Sequence, residues 1–282
     1  MRILWALPSP LTYALRTSID DFVTHSTLRS VCPLPENAVV DVFMACLHAV
    51  QFGFDAPIGP TPLTSLPLLP NGATLEVSAP GMATGLGGKL WPAAAAMCRF
   101  IRDENIARRH VFELGCGCGA VGIYSAALGA SSVLLTDCDD DILQLAGDNA
   151  NRNSKHCGDN CLVRAHKWGT RDVVLPPQLD YVLGSDVTYN RQSLDPLCRS
   201  IRWMLDERRP RVVLAHEQRH PSALANLREC ATARGLEITL FWHDGVSVPT
   251  LGDETGWDVE LSRGDIVLLE VTGCERSASH VS

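Results

Sequence analysis

From residue 91 onward, short apolar runs alternate with longer stretches whose apolar positions recur every three or four residues. The short runs predict strands and the longer ones helices. "WPAAAAMCRFIRDENIA" (91–107) reads as a helix with proline near its first turn, where the missing N–H costs nothing. "HVFEL" (110–114) reads as a strand, "AVGIYSAALGA" (120–130) as a helix of small residues, and "SVLLT" (132–136) as a second strand. "DDDILQLAGDNANRN" (139–153) opens with acids, which suit the positive end of a helix. Strands follow at "NCLVRAH" (160–166) and "DYVLGS" (180–185). A helix at "SLDPLCRSIRWMLD" (193–206), a strand at "RVVLAHE" (211–217) and a helix at "PSALANLRECATARG" (221–235) come next. Two late strands, "LEITLFW" (236–242) and "DIVLLEV" (265–271), have no helical pattern between them.

This alternation predicts an α/β fold, a doubly wound and mostly parallel seven-stranded sheet with helices on both faces. Parallel neighbours need a long crossover, so the last two strands are expected to pair as an antiparallel C-terminal hairpin. In such a sheet the ligand sits beyond the carboxyl ends of the strands, where the strand order reverses. Residues 1–80 show weak periodicity. "DVFMACLHAVQFGF" (41–54) suggests a short buried helix, 56–70 is proline-rich and irregular, and "ATLEVSA" (73–79) suggests a strand. The expected organisation is an N-terminal extension over 1–80, one domain over 81–273 and a tail over 274–282.

Composition changes this picture little. The 282 residues carry a net charge of −8, which argues against a nucleic-acid partner and is compatible with a cationic substrate. Eleven cysteines follow no framework spacing, so free thiols in a reducing, cytoplasmic setting are expected. His156, Cys157, Cys161 and His166 match no common zinc template, and no metal is expected. No apolar run approaches the roughly 20 residues that span a bilayer. The opening "MRILWALPSPLTYALRTSIDD" carries Arg2 and Arg16 and no acid before Asp20. It is read as an ordinary packed segment, with a mitochondrial presequence as the alternative.

The chemistry gathers at "VFELGCGCGAVG" (111–122), where four glycines follow a strand. Gly117, Gly119 and Gly122 satisfy the dinucleotide fingerprint, and Asp137 stands 20 residues past Gly117, where a ribose-binding acid belongs. The earlier register, Gly115, Gly117 and Gly119, puts Glu113 inside a buried strand. An ionised carboxylate there is costly unless something bonds it. A cofactor with a cationic amino-acid end, S-adenosyl-L-methionine, supplies a reason for it. Glu113 then orders the loop and reaches the ammonium through water, while the glycines admit the methionine part. A dinucleotide, or a tight turn without any ligand, stays open on these residues alone.

Here a resemblance emerges. "ELGCGCGAVGI", "TD" at 136–137, Asn149 and Asn153, "KWG" at 167–169 and "LGSDVTY" at 183–189 resemble the seven-β-strand methyltransferases. Within them the chain is similar to family 16, which is dominated by protein-lysine methyltransferases. "GLGGKLWPAA" (85–94) and "AHEQR" (215–219) match that family's entry and fifth-strand segments. The similarity covers roughly residues 83–272 and implies a Rossmann-like class I fold.

The resemblance implies Trp91, Gly115, Cys116, Gly117, Asp137, Trp168 and Ser185 around the cofactor. Trp168 follows the third strand, where an indole can pack on adenine, or equally in the core. Trp91 would wall the pocket, and for Cys116 the backbone amide should matter more than the thiol. Asp186 and Tyr189 match the family's Asp-x-x-Tyr at the substrate lysine channel. A lysine must lose a proton and align its lone pair with the sulfonium methyl. An acidic mouth gathers the cation, and an aromatic wall can hold it. Asp186 is expected to position the amine as an acceptor, since an ordinary Asp has a pKa near 4. The alternative is a helix N-cap at Asp186 with Tyr189 packed on the sheet. Glu217 and Arg219 are expected to form an internal ion pair. The function implied is transfer of methyl to a lysine of a protein. A small-molecule methyltransferase, an NAD-dependent oxidoreductase and a non-catalytic binding protein remain the rivals.

Overall fold

The computed structural model describes residues 63–243, 246–247 and 261–274. The segment 41–54 and the N-terminal stretch lie outside the described residues. Ten strands are described: β1 (Leu63–Ser65), β2 (Glu76–Ser78), β3 (His110–Leu114), β4 (Ser132–Asp137) and β5 (Cys161–Ala165), then β6 (Tyr181–Ser185), β7 (Arg211–Glu217), β8 (Leu236–His243), β9 (Val246–Ser247) and β10 (Ile266–Gly273). The helices are α1 (Pro92–Asp103), α2 (Ala120–Ala127), α3 (Asp140–Arg152), α4 (Ser154–Cys157), α5 (Arg191–Arg208) and α6 (Ala223–Ala233).

The main sheet runs β5-β4-β3-β6-β7-β10-β8-β9. Strands β3 to β7 are parallel, and β10 is antiparallel to both its neighbours. The seven expected strands are present, with β9 as a two-residue addition beyond β8. The late antiparallel pair forms as expected, and β10 inserts between β7 and β8. The chain winds outward from β3 through β4 to β5 and then returns to start β6 on β3's other side. The reversal therefore falls between β3 and β6, and loops from both lie at the carboxyl edge there.

Two cores sandwich the sheet. One gathers Met97, Ile101, Val111, Val121, Ile123 and Leu135 under α1 and α2. The other gathers Phe112, Leu114, Leu194, Leu197 and Leu227 under α5 and α6. The two-residue strand period sends Phe112 and Leu114 to the second core and leaves Glu113 with Val111, facing α2.

Helix α1 stops at Asp103, short of the expected 107. Glu104 leaves in an extended conformation, its carboxylate bonded by Arg211 Nη1 at 2.9 Å, and Ile106 is buried. Helix α3 starts where Asp139 accepts the N–H groups of Asp141 and Ile142, two donors with no partner inside the helix.

Residues 63–80, assigned from sequence to the N-terminal extension, instead share the main core. β1 and β2 form an antiparallel ribbon beside α3, and Leu66, Leu69, Leu75 and Val77 are buried in the same core as residues of α1 and α2. Their backbone is held by two buried side chains of α3's end. Asn153 accepts from Glu76 N and donates to Glu76 O, at 3.2 and 2.8 Å. Asn149 does the same with Ser78, at 2.7 and 2.9 Å. A compact unit of Ala56–Ser282 includes this ribbon. Apolar side chains seeking cover, and a strand edge seeking donors and acceptors, both draw the segment in.

Candidate functional site

The turn from β3 into α2 bends through three glycines in the left-handed region, at φ +62° for Gly115, +53° for Gly117 and +81° for Gly119. A side chain is strained there whatever the space. Space is short as well. A Cβ on Gly115 would lie 2.9 Å from the ring of Trp168 and 3.0 Å from Val187, and one on Gly117 would lie 3.0 Å from the carbonyl oxygen of Gly87. The short 3₁₀ turn Leu86–Gly88 therefore roofs the glycine turn, and the Trp168 indole lies against its side.

Main-chain amides sew this turn to β4. Cys116 N–H donates to Thr136 O at 2.8 Å, and Gly117 N–H donates to Asp137 Oδ2 at 3.2 Å. Asp137 Oδ1 accepts from Cys138 N–H at 2.8 Å. The amide expected of Cys116 as a cofactor contact is thus already used within the fold. Burial pushes its thiol well above the usual range, so it stays neutral. Asp137 is only partly buried, and each oxygen keeps a lone pair beyond the bond it accepts. Burial raises its pKa, against the pull of the two N–H groups.

Glu113 is fully buried. Its Oε2 accepts the N–H of Gly122 at 2.8 Å, one of α2's unpaired first-turn donors. Its Oε1 has no partner among the described residues. Burial lifts its pKa to about 8, although the Gly122 bond pulls the other way. Gly122 was read from sequence only as the last letter of the dinucleotide fingerprint and not as a site residue. A Cβ there would strike Leu135, approach Glu113 Oε2 to 2.7 Å and approach Val133 to 2.9 Å. That glycine, which completes the dinucleotide pattern, serves the packing of α2 on the sheet and access to the Glu113 carboxyl.

Across the reversal point, β6 ends at Ser185, which is partly buried, and the chain turns at Asp186 with φ +58°. A non-glycine residue in that conformation costs on the order of 1 kcal/mol, which its surroundings must offset. They do so with bonds: Asp186 N–H donates to Ala215 O at 2.8 Å, and both carboxylate oxygens receive Arg219, at 2.7 and 2.5 Å. Arg219 Nη2 also donates to Glu217 Oε2 at 2.7 Å. The expected Glu217–Arg219 pair is present, and Asp186 is its third member.

Helix α5 is capped by Asn190, whose side chain accepts Gln192 N–H, so Asp186 is not a helix cap. Tyr189 is half exposed, and its ring lies in the field of both Asp137 and Asp186. Behind the loop, Thr188 Oγ1 meets His216 Nδ1 at 2.6 Å and His216 Nε2 meets Gln218 Oε1 at 3.0 Å. The amide oxygen only accepts, so Nε2 donates and Nδ1 takes the threonine proton. Burial lowers the His216 pKa, which keeps that arrangement neutral.

Trp91 belongs to this side of the site. Its indole N–H donates to Leu86 O at 3.0 Å, and its ring carries Arg219 at 4.7 Å and Lys89 Nζ at 4.5 Å. His166 sits apart from Cys157 and Cys161, bonded to Asp172 at 2.6 Å and to Ser200 at 3.2 Å.

A reversed-strand α/β sheet, a glycine turn and a strand-end carboxylate define a nucleoside-binding α/β protein. The cradle fits S-adenosylmethionine. The glycines admit close backbone approach, Asp137 offers lone pairs to ribose hydroxyls, and the unpartnered Glu113 oxygen faces no protein donor. The family model described as "Lysine methyltransferase" matches residues 71–230, more than half of the chain. The chain belongs to the lysine methyltransferase family.

Among its relatives, EEF1A lysine methyltransferase 3 of Mus musculus is 34% identical over 124 residues, 43% of this chain and 52% of that protein. Protein N-lysine methyltransferase METTL21A of Xenopus tropicalis is 30% identical over 131 residues, 45% of this chain and 59% of that one. Ribosomal protein L11 methyltransferase of Hahella chejuensis is 33% identical over 112 residues, 40% and 37%. The chain spans about half the length of the first two relatives it matches.

Proposed function

We propose that this protein is an S-adenosylmethionine-dependent methyltransferase that transfers methyl to a lysine side-chain amine of another protein. One observation carries the reading: the loop after β6, with Asp186 and the half-exposed Tyr189, and the end of β4, with Asp137 bonded to the glycine turn, flank β3 at the carboxyl edge where the strand order reverses. An acidic, aromatic group suited to an amine thus adjoins the carboxylate suited to a ribose. Membership of the lysine methyltransferase family supports the same substrate class.

Asp137 would hold the ribose hydroxyls, the Gly115–Gly119 backbone the methionine part, and Trp168 the wall beside the glycine turn. Bound S-adenosylmethionine supplies an electrophilic methyl that a neutral amine takes by in-line displacement. Asp186 accepts an N–H of that amine and aims its lone pair, and the Tyr189 ring walls the alkyl chain. Orientation of this kind supplies much of the rate. The cytoplasmic reading draws on the nine described cysteines, all free thiols. No described helix is long and apolar enough to cross a membrane.

Calorimetry with S-adenosylhomocysteine and with NADH tests the cofactor. Micromolar binding of the first alone is expected, followed by transfer of labelled methyl to lysine in a lysate and in purified EEF1A, the protein named in one relative. NADH binding, or label on a small molecule alone, would sink the reading.

A further inference from the structure

Arg219 is held at four points. Two are the oxygens of Asp186, one is Glu217 Oε2, and one is the Trp91 ring, 4.7 Å from the guanidinium carbon. Lys89 lies over the same ring. Around Asp186 two carboxylates therefore meet two cations, and the mouth that was expected to be acidic is largely neutralised at this end, with Asp137 left as the uncompensated acid at the end of β4. The Asp186 side chain is nearly inaccessible, 4% exposed. An amine that reaches it meets a carboxylate whose oxygens each already receive an N–H from a guanidinium that never gives up its proton.

This changes which form of lysine the site favours. A carboxylate alone would pair with an ammonium, whose nitrogen has no free lone pair. Beside Arg219 an ammonium is repelled, while a neutral amine still finds a lone pair on Asp186 for one N–H. The transfer then balances simply. The amine nitrogen bonds to the methyl carbon, the carbon–sulfur bond breaks with its electron pair returning to sulfur, and the extra N–H proton leaves to solvent.

We propose that Arg219 is a positioning residue that keeps the substrate amine neutral and aimed, by holding the Asp186 carboxylate in a bidentate pair while sharing its charge with Glu217. The inference rests on the reading of Asp186 as the substrate-side acceptor. The other titratable or charged groups acting on this loop are Tyr189 within it, Asp137 and Cys138 at the end of β4, and Lys89 ahead of α1. His216 lies behind the loop as a neutral ring.

The test is the pH profile of kcat at saturating acceptor, using the protein labelled in the methyl-transfer screen. The kcat profile reports the bound amine, whereas kcat/KM reports free enzyme and free substrate. Removing a charge at this range is expected to move an amine by about one pH unit or more. In Arg219→Gln the acid limb of kcat should move up by that amount, with activity recovering at high pH. In Glu217→Gln, where Arg219 serves Asp186 alone, it should move down. Arg219→Lys should lie between wild type and Arg219→Gln. Affinity for S-adenosylhomocysteine, measured at each pH, should stay within about threefold of wild type.

A uniform, pH-independent drop in Arg219→Gln, or a loss of S-adenosylhomocysteine binding, would overturn the inference and leave Arg219 a packing residue. A wild-type protein that binds the cofactor and labels no protein would overturn the function itself. An active wild type with unshifted variants would remove only the role of Arg219.

Discussion

Four carboxylates stand at or behind the carboxyl edge of the sheet, and the two halves of the site hold them differently. On the β3–β4 side, Glu113 and Asp137 receive main-chain N–H groups alone, from Gly122, Gly117 and Cys138. On the β6–β7 side, Asp186 and Glu217 share one guanidinium. Amides fix a carboxyl group's direction without supplying a counter-charge: half-buried Asp137 keeps lone pairs for hydroxyls, while buried Glu113, its pKa lifted to about 8, keeps its proton. An arginine fixes direction and cancels charge, which suits an amine that must stay neutral. Two chemically similar pairs thus serve opposite demands because of what donates to them.

The sharpest way to break this contrast is Asp137→Ala. Loss of two bonds to a charged acceptor, at about 1.5–3 kcal/mol each, should weaken S-adenosylhomocysteine binding by about 100-fold or more in calorimetry. Unchanged affinity would remove Asp137 from the cofactor side. Next comes Gly122→Ala, whose methyl group has nowhere to go between Leu135, Val133 and Glu113. A loss of about 1–3 kcal/mol is expected from denaturant unfolding, with the Glu113 contact disturbed as well.

Glu113→Gln sharpens the amide-held side through pH. Its folded pKa of about 8 lies above the ordinary value of 4.5, so between these values the folded state holds a proton that the unfolded state releases. The group's stabilising contribution is full below pH 4.5 and is lost as pH rises through about 8. Unfolding of the ligand-free protein should therefore show stability falling across that window. The Gln variant should be flatter and, at pH 8, more stable by about 1 kcal/mol or more. An identical slope in both would mean that Glu113 is not the titrating group.

The smallest effect is expected for Trp91→Leu. It removes the ring under Arg219 and Lys89, at roughly 0.5–1 kcal/mol per cation–π contact. About a three- to fivefold loss in kcat/KM, with S-adenosylhomocysteine affinity unchanged, would assign Trp91 to the amine side. A loss in cofactor affinity would return it to the cofactor wall.

The parts legible in the sequence are those written locally. The alternation of apolar runs located each of the seven main strands, and "RVVLAHE" matched β7 residue for residue because both of its ends are marked by polar neighbours. The glycine turn and Asp137 were legible because their residue types follow from backbone conformation and strand position. The partner of Asp186 was not, since Arg219 lies 33 residues away, just past the end of β7, and is brought near only by the β6–β7 pairing. The left-handed turn at Asp186 left no mark either, as aspartate is not diagnostic of that conformation. Gly122 was visible as a letter of the wrong motif, and its actual constraint, the crowding by Leu135 and Glu113, exists only after α2 has packed.

Asn149 and Asn153 work as a ruler. Four residues of helix rise about 6 Å, close to the 6.6 Å that two residues of strand span. Their amide ends, each offering one donor and one acceptor, therefore copy two rungs of a neighbouring strand and read β2 at every second residue, Glu76 and Ser78. A shift of one residue would turn the wrong backbone groups toward both amides at once, so the segment entering the domain is held against a one-residue slip. That setting is measured from α3, the helix that follows Asp137, and so the chain's entry is indexed to the same element that frames the cofactor cleft.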